Sequence, residues 1–103
     1  MSRKRVADVQ IDVIHHYLER EFPGQVTPPW QEPHADGPVI EIAYGAVRHQ
    51  IELASAFLED CPDCRDSLRH SELADYIREA RTQNRRFLIR WQGGEVRIRS
   101  KLL

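Results

Sequence analysis

The sequence predicts a single α+β domain over residues 1–103, in the order α-β-β-α-β-β. The expected architecture is a four-stranded antiparallel sheet with two helices packed on one face. Three observations carry this expectation. Apolar residues recur at three-to-four spacing over residues 6–22, the period of an amphipathic helix. Two later stretches, 39–54 and 87–102, alternate apolar and polar residues around a short glycine-bearing turn, the pattern of a hairpin. Between them the helical spacing returns.

Ser2 is the expected cap of the first helix, which runs to about Phe22. Val6, Val9, Val13, Ile14, Tyr17, Leu18 and Phe22 form its apolar face. Pro23-Gly24 ends it. His15 and His16 are adjacent, so they point about 100° apart and do not make an i,i+4 metal pair. They are expected to be ordinary surface or boundary residues. Residues 23–38 form a connecting loop rich in turn formers, with Pro23, Pro28, Pro29, Pro33 and Pro38 beside Gly24 and Gly37. A loop this long is uncommon in a small domain unless it is packed down or functional. Trp30 is its one large anchor, expected over one end of the core. Glu32, His34 and Asp36 alternate, which is a weak pattern for a metal.

A two-residue turn at Gly45-Ala46 sets Tyr44 opposite Val47, Ile42 opposite His49, and Ile40 opposite Ile51. Glu41 and Gln50, Ala43 and Arg48, and Val39 and Glu52 then occupy the other face. Val47, Ile51, Ala54 and Leu58 also fit a helical stripe, but strand is expected to about residue 54. A lone histidine on the apolar face, His49, is expected to be a satisfied core or edge residue. Residues 55–84 are expected to be helical in two pieces, broken at Cys61-Pro62-Asp63-Cys64 because proline is tolerated at a first turn and not inside. Leu68, Leu73, Ile77 and Ala80 line the second piece, with Tyr76 beside them. Ser71 is its expected restart cap and Asn84 its end.

The last hairpin turns at Gly93-Gly94. Trp91 then faces Val96, Arg90 faces Arg97, Ile89 faces Ile98, Leu88 faces Arg99, and Phe87 faces Ser100. One face is apolar. The other carries Leu88, Arg90, Arg97 and Arg99, with Arg86 and Lys101 at the open end.

Residues 76–103 carry a net charge of +6, and residues 1–75 carry −7. The two halves either neutralise each other in the fold or leave the C-terminal third to an anionic partner. Apolar residues make up 41% of the chain, enough for one modest core, and no apolar run approaches a membrane span. The basic start is followed by no apolar region of the signal-peptide kind, so the expected location is cytoplasmic. No nucleotide-binding glycine loop, nucleophile elbow or zinc-protease motif occurs, and enzymatic function has no positive support.

Two chemistries remain to weigh against simple binding. Cys61 and Cys64 form a CxxC at a helix start, where a helix dipole favours thiolate. The preceding residues look helical and acidic, not like the buried strand a thioredoxin-type site needs. Cys61, Cys64 and His70 offer three zinc ligands, one short of a structural site. The leading expectation is a small non-catalytic binding or adaptor domain. Arg86, Arg90, Arg97, Arg99 and Lys101 would contact an acidic protein or nucleic acid, with no cofactor. The alternatives are a zinc or thiol-redox centre, or a homodimer formed through the C-terminal edge strand. Glu41 and Glu52 are the internal carboxylates that would compete for these arginines.

Overall fold

The computed structural model describes residues 6–103. The expected Ser2 cap lies outside them. Helix α1, Val6–Glu21, buries Ile14, Tyr17 and Leu18, and Phe22 follows directly after it. Its buried stripe is rotated from the expected one. Val9 is 48% exposed, while Ala7 and Ile11 pack against the core. Val9 lies two residues from Ile11, almost opposite it on a 3.6-residue helix.

The proline-rich loop is partly sheet. Strand β1, Trp30–Gln31, pairs antiparallel with β2, Pro38–Tyr44, and Val26 bridges to Ile42. Proline lacks a donor and suits an edge, which is where this segment runs. The sheet therefore has five strands rather than four. Gly37 allows the loop to seat, because a β-carbon there would overlap the Leu53 carbonyl.

Strand β3, Val47–Leu53, pairs with β2 in the expected register, Tyr44 against Val47 through Val39 against Glu52. Helices α2, Ser55–Asp60, α3, Cys64–His70, and α4, Leu73–Glu79, follow. Three short helices thus replace the second helix. Asp63 caps α3, accepting the Asp66 N–H at 3.0 Å. Ser71 does not cap α4. It closes α3, its hydroxyl donating to the Leu68 carbonyl at 2.7 Å, and Glu72 at φ 62° turns the chain into α4. Asn84 lies beyond the helix, and its side-chain oxygen accepts the Arg48 N–H at 2.8 Å.

Strands β4, Arg85–Gln92, and β5, Glu95–Leu102, complete the sheet in the order β1-β2-β3-β4-β5. The sheet is not antiparallel throughout as expected. β4 runs parallel to β3, with Ile51 against Phe87 and Leu53 against Ile89, so the sheet is mixed. A helical crossover returns the chain to the end where β3 began, and the next strand then runs the same way. The helices cover one face. Ile40, Ile42, Ile51, Leu53, Phe87 and Ile89 meet apolar residues of α1 to α4 there. Arg78 of α4 ties to α1 through the Glu21 carboxylate at 2.7 Å, and its guanidinium lies 5.0 Å from the centre of the Phe22 ring. No helix among the described residues is long and apolar enough to cross a membrane.

Candidate binding surface on the terminal hairpin

Gly93 and Gly94 sit at φ 63° and 76°, the pair of positive values that a two-residue hairpin turn needs and that side-chain-bearing residues avoid. Every expected pairing of the hairpin is present. The Leu103 N–H donates to the Asn84 carbonyl at 3.1 Å, which sets the alternation of the ladder. Counting back in twos makes Gln92–Glu95, Arg90–Arg97, Leu88–Arg99 and Arg86–Lys101 the hydrogen-bonded pairs. The N–H and C=O groups of Val96, Ile98, Ser100 and Leu102 therefore point away from β4. No strand among the described residues pairs with that side of β5.

The outer face divides into two parts. Around β3 and the start of β4 the charge is compensated. Arg86 is only 11% exposed and uses all three guanidinium nitrogens. Nε donates to Glu52 Oε1 at 2.8 Å and Nη1 to Gln50 Oε1 at 2.9 Å. Nη2 lies 2.6 Å from Glu52 and 2.8 Å from Glu32. Burial works to lower the Arg86 pKa, but the hydrogen bonds to Glu32 and Glu52 outweigh it, and the net shift is upward. The same hydrogen bond holds the Glu32 carboxyl below its ordinary value. Glu41 serves Arg48, at 3.7 Å. Glu52 also accepts the Asp36 N–H at 3.1 Å, which fastens the loop to this end of the sheet.

Along the rest of β4 and β5 the charge is only partly compensated. Arg90 stands opposite Arg97, and Arg99 and Lys101 continue the row. Arg97 is paired at 3.0 Å with Glu95 of its own strand. Arg90 reaches only the Gln92 amide oxygen, at 3.5 Å. Arg90 and Arg99 have no carboxylate partner among the described residues. Of the five expected site residues, Arg86 is thus built into the fold, and the other four share an open face.

The inner face of the hairpin is incompletely covered. The helices shield Phe87 and Ile89, but Trp91, Val96 and Ile98 are half-buried. A groove of about 1150 Å³ lies between them and α3–α4, with Tyr76, 48% exposed, on its far side. The apolar face expected of this hairpin is thus core at Phe87 and Ile89 and only margin at Trp91, Val96 and Ile98. The short apolar stripes of α3 and α4 were the available signal that the cover would fall short.

The cysteines belong to the core. Cys61 is 2% exposed and Cys64 is fully buried. Burial, followed by the nearby Cys61, pushes the Cys64 thiol up to about 12, away from the depressed values of reactive thiols. His70 lies at the surface beside Asp66, at 3.4 Å, and does not join the cysteines. Among the described residues no three side chains of metal-ligating type are grouped. Glu32 is committed to Arg86, and Glu32, His34 and Asp36 are not grouped as metal ligands. Trp30 stands by register on the outer face with Val39 and is partly exposed.

His49 is fully buried and satisfied. Its Nδ1 accepts the Arg85 N–H at 3.2 Å, so Nε2 carries the proton it gives to the Ala80 carbonyl at 2.7 Å. It joins β3 to the end of the helical crossover and the start of β4.

Comparison with protein-family models, curated proteins and solved structures gave no match. The fold class rests on the structure alone: an α+β domain whose helices cover one face of a five-stranded mixed sheet.

Proposed function

We propose that this domain is a non-catalytic binding module that docks an acidic protein segment on the open face of the β4–β5 hairpin. One observation carries the reading: Arg90 stands directly opposite Arg97 with no carboxylate of its own among the described residues, since Glu41 and Glu52 serve other cations and Glu95 pairs with Arg97. Directly opposed like charges destabilise a sheet by roughly 0.2–1 kcal/mol per pair. A partner bearing carboxylates removes that cost and gains charge-assisted hydrogen bonds, for which arginine's planar fork is suited.

An acidic protein fits better than nucleic acid. The row of Leu88, Arg90, Arg97, Arg99 and Lys101 offers no aromatic ring on which a base would stack, and Trp30, on the same outer face, stands on β1 with β2 and β3 between it and the hairpin. The chain's formal charge of −1 also opposes a long polyanion. A thiol-redox role is disfavoured by the upward shift of Cys64.

The test is binding of fluorescent oligoglutamate, single-stranded DNA and RNA, measured between roughly 50 and 200 mM salt. Oligoglutamate should bind, weaken with salt, and be lost in the Arg90→Glu, Arg97→Glu double variant. Unchanged binding by that variant, or preferential binding of nucleic acid, overturns the reading.

A further inference from the structure

We infer that the partner binds as an added β-strand on the free edge of β5 and that its sequence alternates acidic and apolar residues. The inference rests on the acidic-partner reading above and specifies how that partner is held. Three features meet at this edge. Val96, Ile98, Ser100 and Leu102 present main-chain donors and acceptors outward, in a strand of eight residues. On the outer side stand Arg97, Arg99 and Lys101. On the inner side Val96 and Ile98 stand beside Trp91 as the apolar margin of a groove whose far wall sets Tyr76 among polar side chains such as Ser67, Ser71 and Glu79.

A strand laid about 4.8 Å from β5 alternates its side chains between the two faces of the sheet. Residues opposite Arg97, Arg99 and Lys101 lie over the basic row and are best acidic. Residues opposite Val96 and Ile98 meet the apolar margin of the groove and are best apolar. Backbone bonding thus supplies affinity, and the two faces supply selectivity.

A second copy of this chain fits the edge less well. In the two-fold pairing centred on Ile98, Arg97 of each copy opposes Arg99 of the other at the centre, and the Glu95–Lys101 pairs at the two ends offset only part of that repulsion. The homodimer expected from an open edge therefore adds the repulsion that an acidic strand removes. Charged edge residues also discourage unwanted pairing, which the test must separate from specific strand addition.

The probe is a synthetic peptide of eight residues, the length of β5, alternating Glu with Val. Its controls have the same composition in two blocks, or N-methyl groups on one alternate set of amides. The alternating peptide should bind about tenfold or more tighter than the block peptide. Methylating only one set should remove that advantage, the valine amides if the strand adds antiparallel and the glutamate amides if parallel. An Arg97→Glu, Arg99→Glu variant should instead prefer the peptide with Lys in place of Glu. Equal binding of alternating and block peptides, or equal loss on methylating either set, overturns strand addition while leaving the acidic-face reading intact. No binding of any acidic probe overturns both. A dimer by light scattering that Arg97→Glu strengthens assigns the edge to a second copy and also overturns it.

Discussion

Replacing Arg86 by alanine tests whether the compensated half of the outer face is structural. The guanidinium holds Glu52 and Glu32 together over Gln50, at 2.6 to 2.9 Å. Its removal leaves Glu52, 14% exposed, with the Asp36 N–H at 3.1 Å as a remaining donor. Exposed pairs contribute about 0–1 kcal/mol, and breaking a buried one costs about 3–5. Exposures of 11% for Arg86 and 14% for Glu52 put this network nearer the buried case, and Glu32, at 31%, is more screened. The expected loss is about 2–3 kcal/mol at pH 7, a fall in Tm of about 10–20 °C for a domain of this size. Urea unfolding followed by circular dichroism measures it. The acid limb gives an independent check. Glu32 is held below its ordinary value of 4.5. Its contribution is therefore complete above that value and fades as pH falls through the lowered one. The gap between wild type and Arg86→Ala should narrow at pH 3. Glu52→Gln should reduce the cost of Arg86→Ala, since the two residues are in contact. A loss below about 0.5 kcal/mol at pH 7, typical of an unconstrained surface site, refutes the reasoning and returns Arg86 to the pool of free binding arginines.

Further outcomes follow from other sites. Gly37→Ala should destabilise by about 1–3 kcal/mol in urea unfolding, because the methyl group meets the Leu53 backbone carbonyl, which has no rotamer to yield. His49→Leu should cost roughly 2–4 kcal/mol, since the Ala80 carbonyl and Arg85 N–H both lose their partner; a neutral result argues that water replaces the ring. Arg90→Glu should stabilise folding by about 0.2–1 kcal/mol while weakening acidic-peptide binding, because it turns an opposed like-charge pair into an attractive one. Both cysteines should resist iodoacetamide at pH 8 in the native state and react in urea, as expected for thiols buried in the core.

Local patterns carried far in this chain. Both hairpin registers follow from a two-residue turn and a period of two, so each cross-strand pair, Arg90 with Arg97 included, is legible in the sequence. The break at Pro62 is equally local, since proline removes a helix donor and Asp63 supplies a cap. The rotation of the α1 stripe was not legible. Ala7, Val9 and Ile11 are all apolar, and which of them turns inward depends on the neighbouring elements.

The charged network divides in the same way. Sequence reasoning offered Glu41 and Glu52 as partners for the arginines. Glu52 does serve Arg86, but Glu41 serves Arg48, and the other carboxylate on Arg86 is Glu32, from the proline-rich loop. No spacing rule connects Glu32 with Arg86. Their meeting depends on the loop forming β1 and being anchored beside Glu52 through Asp36.

The sequence by itself determined the α+β class, the two hairpins with their opposed faces, and the row of arginines on the last of them. These depend on turn chemistry and on the periods of helix and strand, which act over a few residues. Only the tertiary structure decided the parallel pairing of β3 with β4, the capture of Arg86, and the incomplete cover over Trp91, Val96 and Ile98. Those depend on where a crossover sets one hairpin beside the other and on how far short helices reach, and such distances are created when the chain packs.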